Sequence, residues 1–284
     1  MPAIVTPFAR VGAIDLTAHG HNVATLASSG IRGFVIGGST GEGPYLEAGE
    51  RSKLAAAARD AAPDSFVMVG LFAESLRGAV TMSAEAADGG ADAVLALTPT
   101  TLVRHRPDLV ERFFADLGKR SSLPVFLYSV PRVTAFEIPA DAAIRLGSHE
   151  GIAGMKDSGG HPGRVSHIAR AAGEGFAVYC GASAAIALSM AGGAQGAITA
   201  SANYAPRLVI EVVELSKKSV ASAANAQERL RALAGAVERH GVAGVKYAAA
   251  RTGLVTGPPR RPLVTPGAKA RREIDRALTE AALV

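Results

Sequence analysis

Residues 151–160 have the sequence GIAGMKDSGG, in which a short apolar run ends in Lys156 and is followed at once by loop residues. A helical pattern then begins at Pro162, and proline is favoured in the first turn of a helix. The stretch therefore predicts a β-strand, a loop and a helix in succession. The same unit recurs along most of the chain, and this recurrence decides the fold prediction.

Short apolar runs alternate with longer, alanine-rich helical patterns as far as residue 200. The runs are spaced by roughly twenty to thirty residues, which is the spacing of βα units. The predicted strands are residues 3–6, 33–36, 67–70, 93–97, 125–128, 154–156, 177–179 and 197–199. The helices predicted between them are residues 17–29, 47–61, 76–88, 107–119, 139–146, 162–171 and 184–191. We predict an α/β fold, a (β/α)₈ TIM barrel, with a doubly wound open sheet as the alternative.

The pattern changes after residue 206. Four helices with no strand between them are predicted there, at residues 207–218, 222–239, 244–252 and 266–282. The first of these closes the last βα unit, and the others form a helical C-terminal extension. We therefore expect residues 1–206 to hold the barrel strands and crossover helices. Residues 207–284 would hold the last barrel helix and the extension, in one structural unit.

The composition indicates a globular protein. The chain has 284 residues, of which 48% are hydrophobic and 19% charged, so a disordered chain is excluded. Cys180 is the only cysteine, and an intramolecular disulfide is therefore impossible. The first residues lack the basic lead and the long apolar run of a signal peptide. We expect a cytoplasmic protein.

The net charge of +5 raises the possibility of a nucleic-acid partner. However, the basic residues are spread over helical segments, and no aromatic side chains are interleaved with them for base stacking. We therefore expect neither nucleic acid nor a membrane as partner. His105, His149 and His161 lie in predicted loops, and no two histidines have the spacing of a metal site. We predict no metal and no cofactor.

Lys156 is the first candidate for chemistry, because its stem lies among apolar neighbours and its amine at the exit of a strand. Removing water from an ammonium disfavours the charged form, so the neutral, nucleophilic amine becomes accessible near pH 7. A lysine in that state can form a Schiff base with a carbonyl compound. The alternative is a lysine that ends a strand and pairs with Asp157 in solvent.

Two further stretches follow predicted strands at the same end, where barrels gather their catalytic groups. Residues 37–43, GGSTGEG, combine glycines with hydroxyls and offer N–H and O–H donors to a small anion. Tyr128 closes a predicted strand, and its hydroxyl can both donate and accept a proton. The alternatives are an ordinary glycine-rich turn and a core tyrosine. A nucleophile, a proton shuttle and an anion cradle are the parts that a carbonyl lyase needs.

The order and spacing of three motifs resemble the dihydrodipicolinate synthase / N-acetylneuraminate lyase superfamily. The motifs are Gly38-Ser39-Thr40-Gly41-Glu42, Tyr128-Ser129-Val130-Pro131 and Gly154-Met155-Lys156-Asp157. The resemblance implies a (β/α)₈ barrel with a helical C-terminal extension, usually assembled as a homotetramer, a dimer of dimers. It also implies a class I aldolase that binds pyruvate, or a 2-oxo acid that yields it, as a Schiff base.

The resemblance also implies a role for each matching residue. Lys156 would be the Schiff-base lysine, Tyr128 would relay protons, and Ser39 would supply the relay hydroxyl. The substrate-binding positions would be Thr40 and Gly38 for the pyruvate carboxylate, with Gly181 and Ile198 as backbone positions lining the site.

Two departures from the synthase pattern bear on the substrate. Synthases of the family carry an arginine five residues after the tyrosine, where this chain has Val133, and Arg132 stands one residue early. They also carry a tyrosine pair where this chain has Thr100 and Thr101. Both changes argue against dihydrodipicolinate synthesis. Residues 127–131 together with residues 155–160 are more similar to the 4-hydroxy-2-oxoglutarate aldolase branch.

Several functions stay open at this point. Within the same iminium chemistry, the alternatives are a dihydrodipicolinate synthase and a lyase or dehydratase of sugar acids such as 2-keto-3-deoxy acids or N-acetylneuraminate. A catalytically inactive protein that binds a small oxo acid is the alternative outside enzymes, and the intact Lys156 and Tyr128 count against it. The late pair Arg260 and Arg261 is a further possible contact for a substrate carboxylate.

Overall fold

The computed structural model describes residues 1–10 and 12–284. The described residues form one sheet of seven parallel strands, each next to the strand that precedes it in sequence. The strands are β1 Gly33–Ile36, β2 Phe66–Leu71, β3 Ala93–Leu97, β4 Val125–Ser129, β5 Ile152–Asp157, β6 Ala177–Cys180 and β7 Gly196–Ala197. A doubly wound sheet would reverse its strand order at a switch point, and this sheet does not. The predicted α/β fold with a parallel sheet is confirmed.

Helices connect the strands and continue beyond them. They are α1 Leu16–Ser28, α2 Glu50–Ala61, α3 Leu76–Asp88, α4 Pro107–Arg120, α5 Pro131–Thr134, α6 Ala140–Leu146, α7 Pro162–Ala171, α8 Ile186–Ala191, α9 Pro206–Lys218, α10 Val220–Glu238, α11 Gly241–Arg251 and α12 Ala268–Glu280. Side-chain caps set several starts: Asp15 accepts from the Ala18 N–H and Ser75 from the Gly78 N–H. In the described part of the chain, no helix has the length and apolarity needed to cross a membrane.

The first predicted strand, residues 3–6, does not form a ladder in the structure. Instead, single parallel bridges join Pro2 to Thr199 and Ala3 to Val35. The Ala3 N–H donates to the Thr199 carbonyl at 3.1 Å, and the Val35 N–H donates to the Pro2 carbonyl at 2.9 Å. The N-terminal segment thus connects β1, at one edge of the sheet, with the residues that follow β7, at the other.

The sheet separates two apolar clusters, because side chains alternate between the faces of a strand. The outer cluster lies between the strands and the surrounding helices. The inner cluster is enclosed by the sheet and contains Val35, Met68, Leu95, Phe126 and Tyr128. Strands β4 and β5 pair with Tyr128 opposite Lys156, so these two side chains share the inner face. Each of them is the second-last residue of its strand.

The helices after residue 206 pack against the parallel-sheet unit. Gln227 on α10 donates to the Ser183 carbonyl and accepts from the Ala187 N–H, each at 2.9 Å. These contacts fasten α10 to the segment that follows β6. The proposed boundary between residues 1–206 and 207–284 stays a prediction.

Candidate active site

A cavity of about 660 Å³ lies at the carboxyl ends of β4, β5 and β6. Five of the residues predicted for the site line it, namely Ser39, Thr40, Tyr128, Lys156 and Gly181. The other two lie behind this wall. The Gly38 carbonyl accepts from the Gly43 N–H at 3.0 Å, and the Ile198 N–H donates to the Cys180 carbonyl at 2.9 Å. The roles of all seven stay predictions.

Lys156 is buried at the end of β5, with 5% of its surface exposed. Its Nζ lies 4.4 Å from the centre of the Tyr128 ring, and no carboxylate of the described residues pairs with it. The neighbouring Asp157 is bound by Arg164 instead, with 2.7 Å between Nε and Oδ2. The alternative of a solvated Lys156–Asp157 pair is therefore wrong.

Glycine makes room for the lysine stem. A Cβ at Gly181 would lie 3.0 Å from Lys156 Cε and would collide with the Ser158 hydroxyl. The Gly181 N–H also donates to the Asp157 carbonyl at 2.6 Å, which holds the end of β6 against the end of β5. A side chain at position 181 would therefore crowd the Ser158 hydroxyl first and the stem of Lys156 next.

The Tyr128 hydroxyl lies 3.3 Å from the Ser39 hydroxyl. Burial raises the pKa of Tyr128, but the charge of Lys156 and hydrogen bonds with Ser39, Lys156 and Ser158 outweigh it and leave the pKa below its usual value of 10.0. On the backbone, Thr98 Oγ1 donates to the Tyr128 carbonyl at 3.1 Å. The phenol is thus fixed between a hydroxyl and a cation, where it can exchange a proton.

The loop of residues 37–43 folds tightly over β1. A Cβ at Gly41 would lie 2.7 Å from the Ile4 carbonyl oxygen, so only glycine fits there. Thr6 Oγ1 donates to the Gly41 carbonyl at 2.6 Å. The Thr40 side chain lines the cavity and makes no hydrogen bond with a described residue, which leaves its hydroxyl for a ligand.

A buried ion pair connects this loop to the C-terminal extension. Glu42 has a left-handed backbone, at φ 60°, and its Oε1 accepts from Lys246 Nζ at 2.8 Å. Its Oε2 accepts from the Arg260 N–H at 2.7 Å, and Lys246 also donates to the Thr6 carbonyl. Burial, aided by the charge of Arg260, lowers the pKa of Lys246 against the opposing effect of Glu42. The shape of the predicted carboxylate cradle thus depends on a residue more than 200 positions away.

Arg132 lines the cavity, although it stands one residue before the position of the synthase arginine. It lies on the short helix α5, and its guanidinium makes no ion pair or hydrogen bond with a described residue. Val133 also lines the cavity and is 60% exposed. Arg260 is taken up by Glu50, with two contacts of 2.6 Å, and is not available to a substrate. Arg132 is therefore a cation of the cavity lining that has no ion-pair partner among the described residues.

Sequence reasoning missed Glu238, the last residue of α10, which also lines the cavity. Its Oε1 accepts from the Ser183 hydroxyl at 2.7 Å and from the Tyr204 hydroxyl at 3.3 Å. Burial raises the pKa of Glu238 above 4.5, although these hydrogen bonds and the charges of Arg132 and Lys156 oppose the shift. The only signal in the sequence is an acid at a helix C-terminus, where the helix dipole disfavours negative charge.

Metal ligands are not grouped in the part of the chain that the structure describes, where no three His, Cys, Asp or Glu side chains could hold an ion together. The cavity instead presents an amine, a phenol, hydroxyls, three guanidinium groups and one carboxyl. This set suits the binding of an anionic carbonyl compound and the transfer of protons to and from it.

Comparisons with known proteins agree with this geometry. The model of the dihydrodipicolinate synthetase family matches residues 1–281. A 4-hydroxy-tetrahydrodipicolinate synthase of Chelativorans sp. (strain BNC1) is 34% identical over 99% of this chain and 97% of its own length. A probable mitochondrial 4-hydroxy-2-oxoglutarate aldolase of Emericella nidulans is 30% identical over 99% of this chain and 94% of its own.

A solved structure has the same fold. The chloride-inhibited dihydrodipicolinate synthase from Acinetobacter baumannii, complexed with pyruvate, superimposes with a TM-score of 0.94 at 28% identity. The match covers 100% of this chain and 98% of that one. Synthases and an aldolase are thus similar to the whole length of the chain.

Proposed function

Since the chain belongs to the dihydrodipicolinate synthetase family, we propose that it forms a Schiff base with a 2-oxo acid and makes or breaks a carbon–carbon bond next to it, with pyruvate as product or donor. One observation carries the proposal. A buried lysine at a strand end, Lys156, faces a cavity with its amine against the ring of Tyr128. Burying a lysine without a carboxylate partner costs free energy, and a lysine that only supported the fold would not offset that cost.

The first steps form the iminium ion. The Lys156 amine adds to the C2 carbonyl of the 2-oxo acid, and the carbinolamine then loses its hydroxyl as water. Tyr128 donates the proton that this water needs and is left as a phenolate, with the Ser39 hydroxyl 3.3 Å away as its hydrogen-bond partner. The iminium is the electron sink for the next step, so the chemistry requires neither a metal nor a cofactor.

The second steps break the bond between C3 and C4. The C4 hydroxyl gives its proton to Tyr128 and becomes the carbonyl of the released aldehyde. The electrons of the broken bond move into the iminium and form an enamine, which takes a proton at C3. Water then hydrolyses the iminium, and pyruvate and the free Lys156 amine are restored. Condensation of pyruvate with an aldehyde runs through the same steps in reverse.

The carboxylate of the 2-oxo acid would bind in the loop of residues 37–43. Thr40 offers a hydroxyl without a partner, and the backbone around Ser39 and Gly38 offers N–H donors. Gly181 leaves space beside the lysine, and Ile198 supports the floor behind it.

The substrate would be a 4-hydroxy-2-oxo acid of the 4-hydroxy-2-oxoglutarate kind. Val133 supports this, because a valine cannot replace the bidentate guanidinium–carboxylate pair of a synthase. Dihydrodipicolinate synthesis is the second candidate. It is favoured by the names of several relatives and by Arg132, which lines the cavity from the neighbouring position.

Two reactions in one buffer test the choice. The retro-aldol cleavage of 4-hydroxy-2-oxoglutarate is followed by a coupled assay for pyruvate, and the condensation of pyruvate with aspartate semialdehyde is followed in parallel. We expect a higher kcat/KM for cleavage, and we expect Val133→Arg to shift the ratio towards condensation. Efficient dihydrodipicolinate formation by the unmodified protein would overturn the substrate assignment and leave the Schiff base untouched.

The assembly is also a proposal. The bridges from residues 2 and 3 to both edges of the sheet support a closed (β/α)₈ barrel, with the N-terminal segment in the place of the eighth strand. We propose a homotetramer, a dimer of dimers in the cytoplasm, because the family resemblance implies this form. Size-exclusion chromatography with light scattering tests it.

A further inference from the structure

Helix α10 forms one wall of the cavity, although it belongs to the C-terminal extension. The residues of this wall are Arg231, Ala234, Gly235, Glu238 and Arg239. None of them takes part in the steps proposed for the Schiff base. Glu238 is the only carboxylic acid lining the cavity among the described residues, and the proposed steps do not account for its position there.

A chain of buried hydroxyls fixes the Glu238 carboxyl. Ser183 Oγ donates to Oε1 at 2.7 Å and lies 2.9 Å from Ser201 Oγ, which donates to Thr199 Oγ1 at 3.1 Å. The Tyr204 hydroxyl also donates to Oε1, at 3.3 Å. Burial and the charge of Glu238 raise the pKa of Tyr204 well above 10.0, so its hydroxyl remains a donor. Such a network holds one carboxylate oxygen in a single orientation.

The second oxygen of Glu238, Oε2, makes no hydrogen bond with a described residue, while the side chain lines the cavity. A carboxylate oxygen has lone pairs that require a donor when water is displaced. A ligand that fills this part of the cavity must therefore supply a donor, or it leaves Oε2 unsatisfied.

The charges nearby indicate which donor fits. Arg132 and Lys156 act on Glu238 as positive charges, and Arg132 has no partner of its own among the described residues. An ammonium group would be repelled by these cations, and a carboxylate placed against Oε2 would be repelled by Glu238 itself, whereas a carboxylate placed against Arg132 would be attracted. A neutral hydroxyl suits both, because it donates to Oε2 without adding charge.

We propose that Glu238 is a specificity-determining residue that accepts a hydrogen bond from a hydroxyl group on the aldehyde half of the substrate. This inference rests on the proposed function, since Lys156 and Tyr128 would fix the 2-oxo acid end and leave the chain beyond C4 towards α10. Within the proposed class of 4-hydroxy-2-oxo acids, the preferred substrates are then those with a further hydroxyl, which 4-hydroxy-2-oxoglutarate itself lacks. A terminal carboxylate for Arg132 is compatible with that hydroxyl in one molecule.

The test compares two aldehydes of equal length as partners of pyruvate, glyceraldehyde and propanal. We measure kcat/KM for each with the wild-type protein, Glu238→Gln and Glu238→Ala. Each aldehyde is compared with itself across the variants, so its intrinsic reactivity cancels. Glu214→Gln, on the exposed surface of α9, is the matched control for loss of a carboxylate.

We expect Glu238→Ala to lower kcat/KM for glyceraldehyde by roughly 10-fold or more relative to propanal, mainly through KM, which is the scale of one hydrogen bond to a charged group. Glu238→Gln keeps an acceptor oxygen and should lose less. An equal loss for both aldehydes, or a wild-type protein without preference for glyceraldehyde, overturns the role.

Borohydride trapping with pyruvate alone runs beside these assays. Labelling of the wild type and of both Glu238 variants shows that the lysine chemistry and the fold are intact. A wild-type protein that does not label contradicts the proposed function, which separates that failure from failure of the Glu238 assignment.

Discussion

The Nζ of Lys156 lies 4.4 Å from the centre of the Tyr128 ring, and the two residues are direct partners in the register of β4 and β5. Their relationship is therefore set by the sheet and not by a flexible loop. The ring face attracts the ammonium, and the ammonium in turn lowers the pKa of the phenol. The nucleophile and the proton shuttle of the proposed reaction are electrically coupled before any substrate arrives.

The Tyr128 hydroxyl is expected to carry proton transfer. Tyr128→Phe keeps the ring in the inner cluster, so the fold should remain, while kcat should fall by roughly 10²–10⁴. Steady-state kinetics and thermal unfolding measure the two effects. Tyr179→Phe, on the same inner face but outside the cavity wall, is the control and should change kcat little. Loss of folding in Tyr128→Phe, with activity lost in proportion, would favour a core tyrosine.

Arg132 is expected to bind a carboxylate at the far end of the substrate. Its guanidinium lines the cavity and has no partner among the described residues. Arg132→Gln should raise KM for 4-hydroxy-2-oxoglutarate by roughly 10- to 100-fold, with a smaller effect on kcat. The control is Arg170→Gln, an exposed change on α7. An unchanged KM in Arg132→Gln would show that this arginine does not read the substrate.

The Glu42–Lys246 pair is expected to stabilise both the fold and the cradle loop. Lys246→Met leaves a buried carboxylate without its cation, which should lower the free energy of unfolding by about 3 kcal/mol. KM for pyruvate should rise as well, since Glu42 closes the loop that contains Thr40. Urea unfolding and kinetics measure these effects.

Lys217→Met is the matched control, because it removes an exposed ion pair with Glu214 and should change stability by less than about 0.5 kcal/mol. The double variant Glu42→Gln, Lys246→Met should recover part of the loss. A Lys246→Met protein as stable as the control would mean that the pair is not a structural lock.

Burial of His19 is expected to make the free energy of unfolding depend on pH. It is fully buried, neither ring nitrogen has a hydrogen-bond partner of normal geometry among the described residues, and burial lowers its pKa from 6.5 to about 4. The Leu54 backbone offsets part of this shift. Between pH 6.5 and 4 the unfolded chain binds a proton that the folded protein excludes. The free energy of unfolding therefore falls as the pH falls, by about 3 kcal/mol across the window.

His19→Leu should remove that part of the pH dependence, as urea unfolding from pH 7 to pH 4 would show. The exposed His21, on the same helix, provides the control His21→Leu, which should keep the wild-type slope. Equal slopes in the wild type and in His19→Leu would contradict the assignment.

The strands could be predicted because each is a short apolar run between turn residues, buried along most or all of its length in β1 to β5. The first run failed as a strand since its contacts split between Val35 on one side and Thr199 on the other, a tertiary arrangement that no local pattern encodes. The last strand, β7, is also shorter than its apolar run, with only Gly196–Ala197 in the ladder.

The candidate site divides in the same way. Lys156 and Tyr128 could be predicted, because each is a reactive side chain at the end of an apolar run, and neighbouring residues in the sequence are enough to show this. Glu238 could not, since its partners Ser183 and Tyr204 lie 55 and 34 residues away. The inward position of Arg132 depends on the short helix α5, which could not be predicted from the residues after Tyr128.

The central claim is a covalent imine between pyruvate and Lys156. Sodium borohydride added with pyruvate should reduce it to a stable secondary amine, so the intact mass should rise by one reduced pyruvate and peptide mapping should place the label on Lys156. The wild type should label and Lys156→Ala should not, with chelators present or absent. Equal labelling of both proteins, or no labelling of the wild type, would contradict the account.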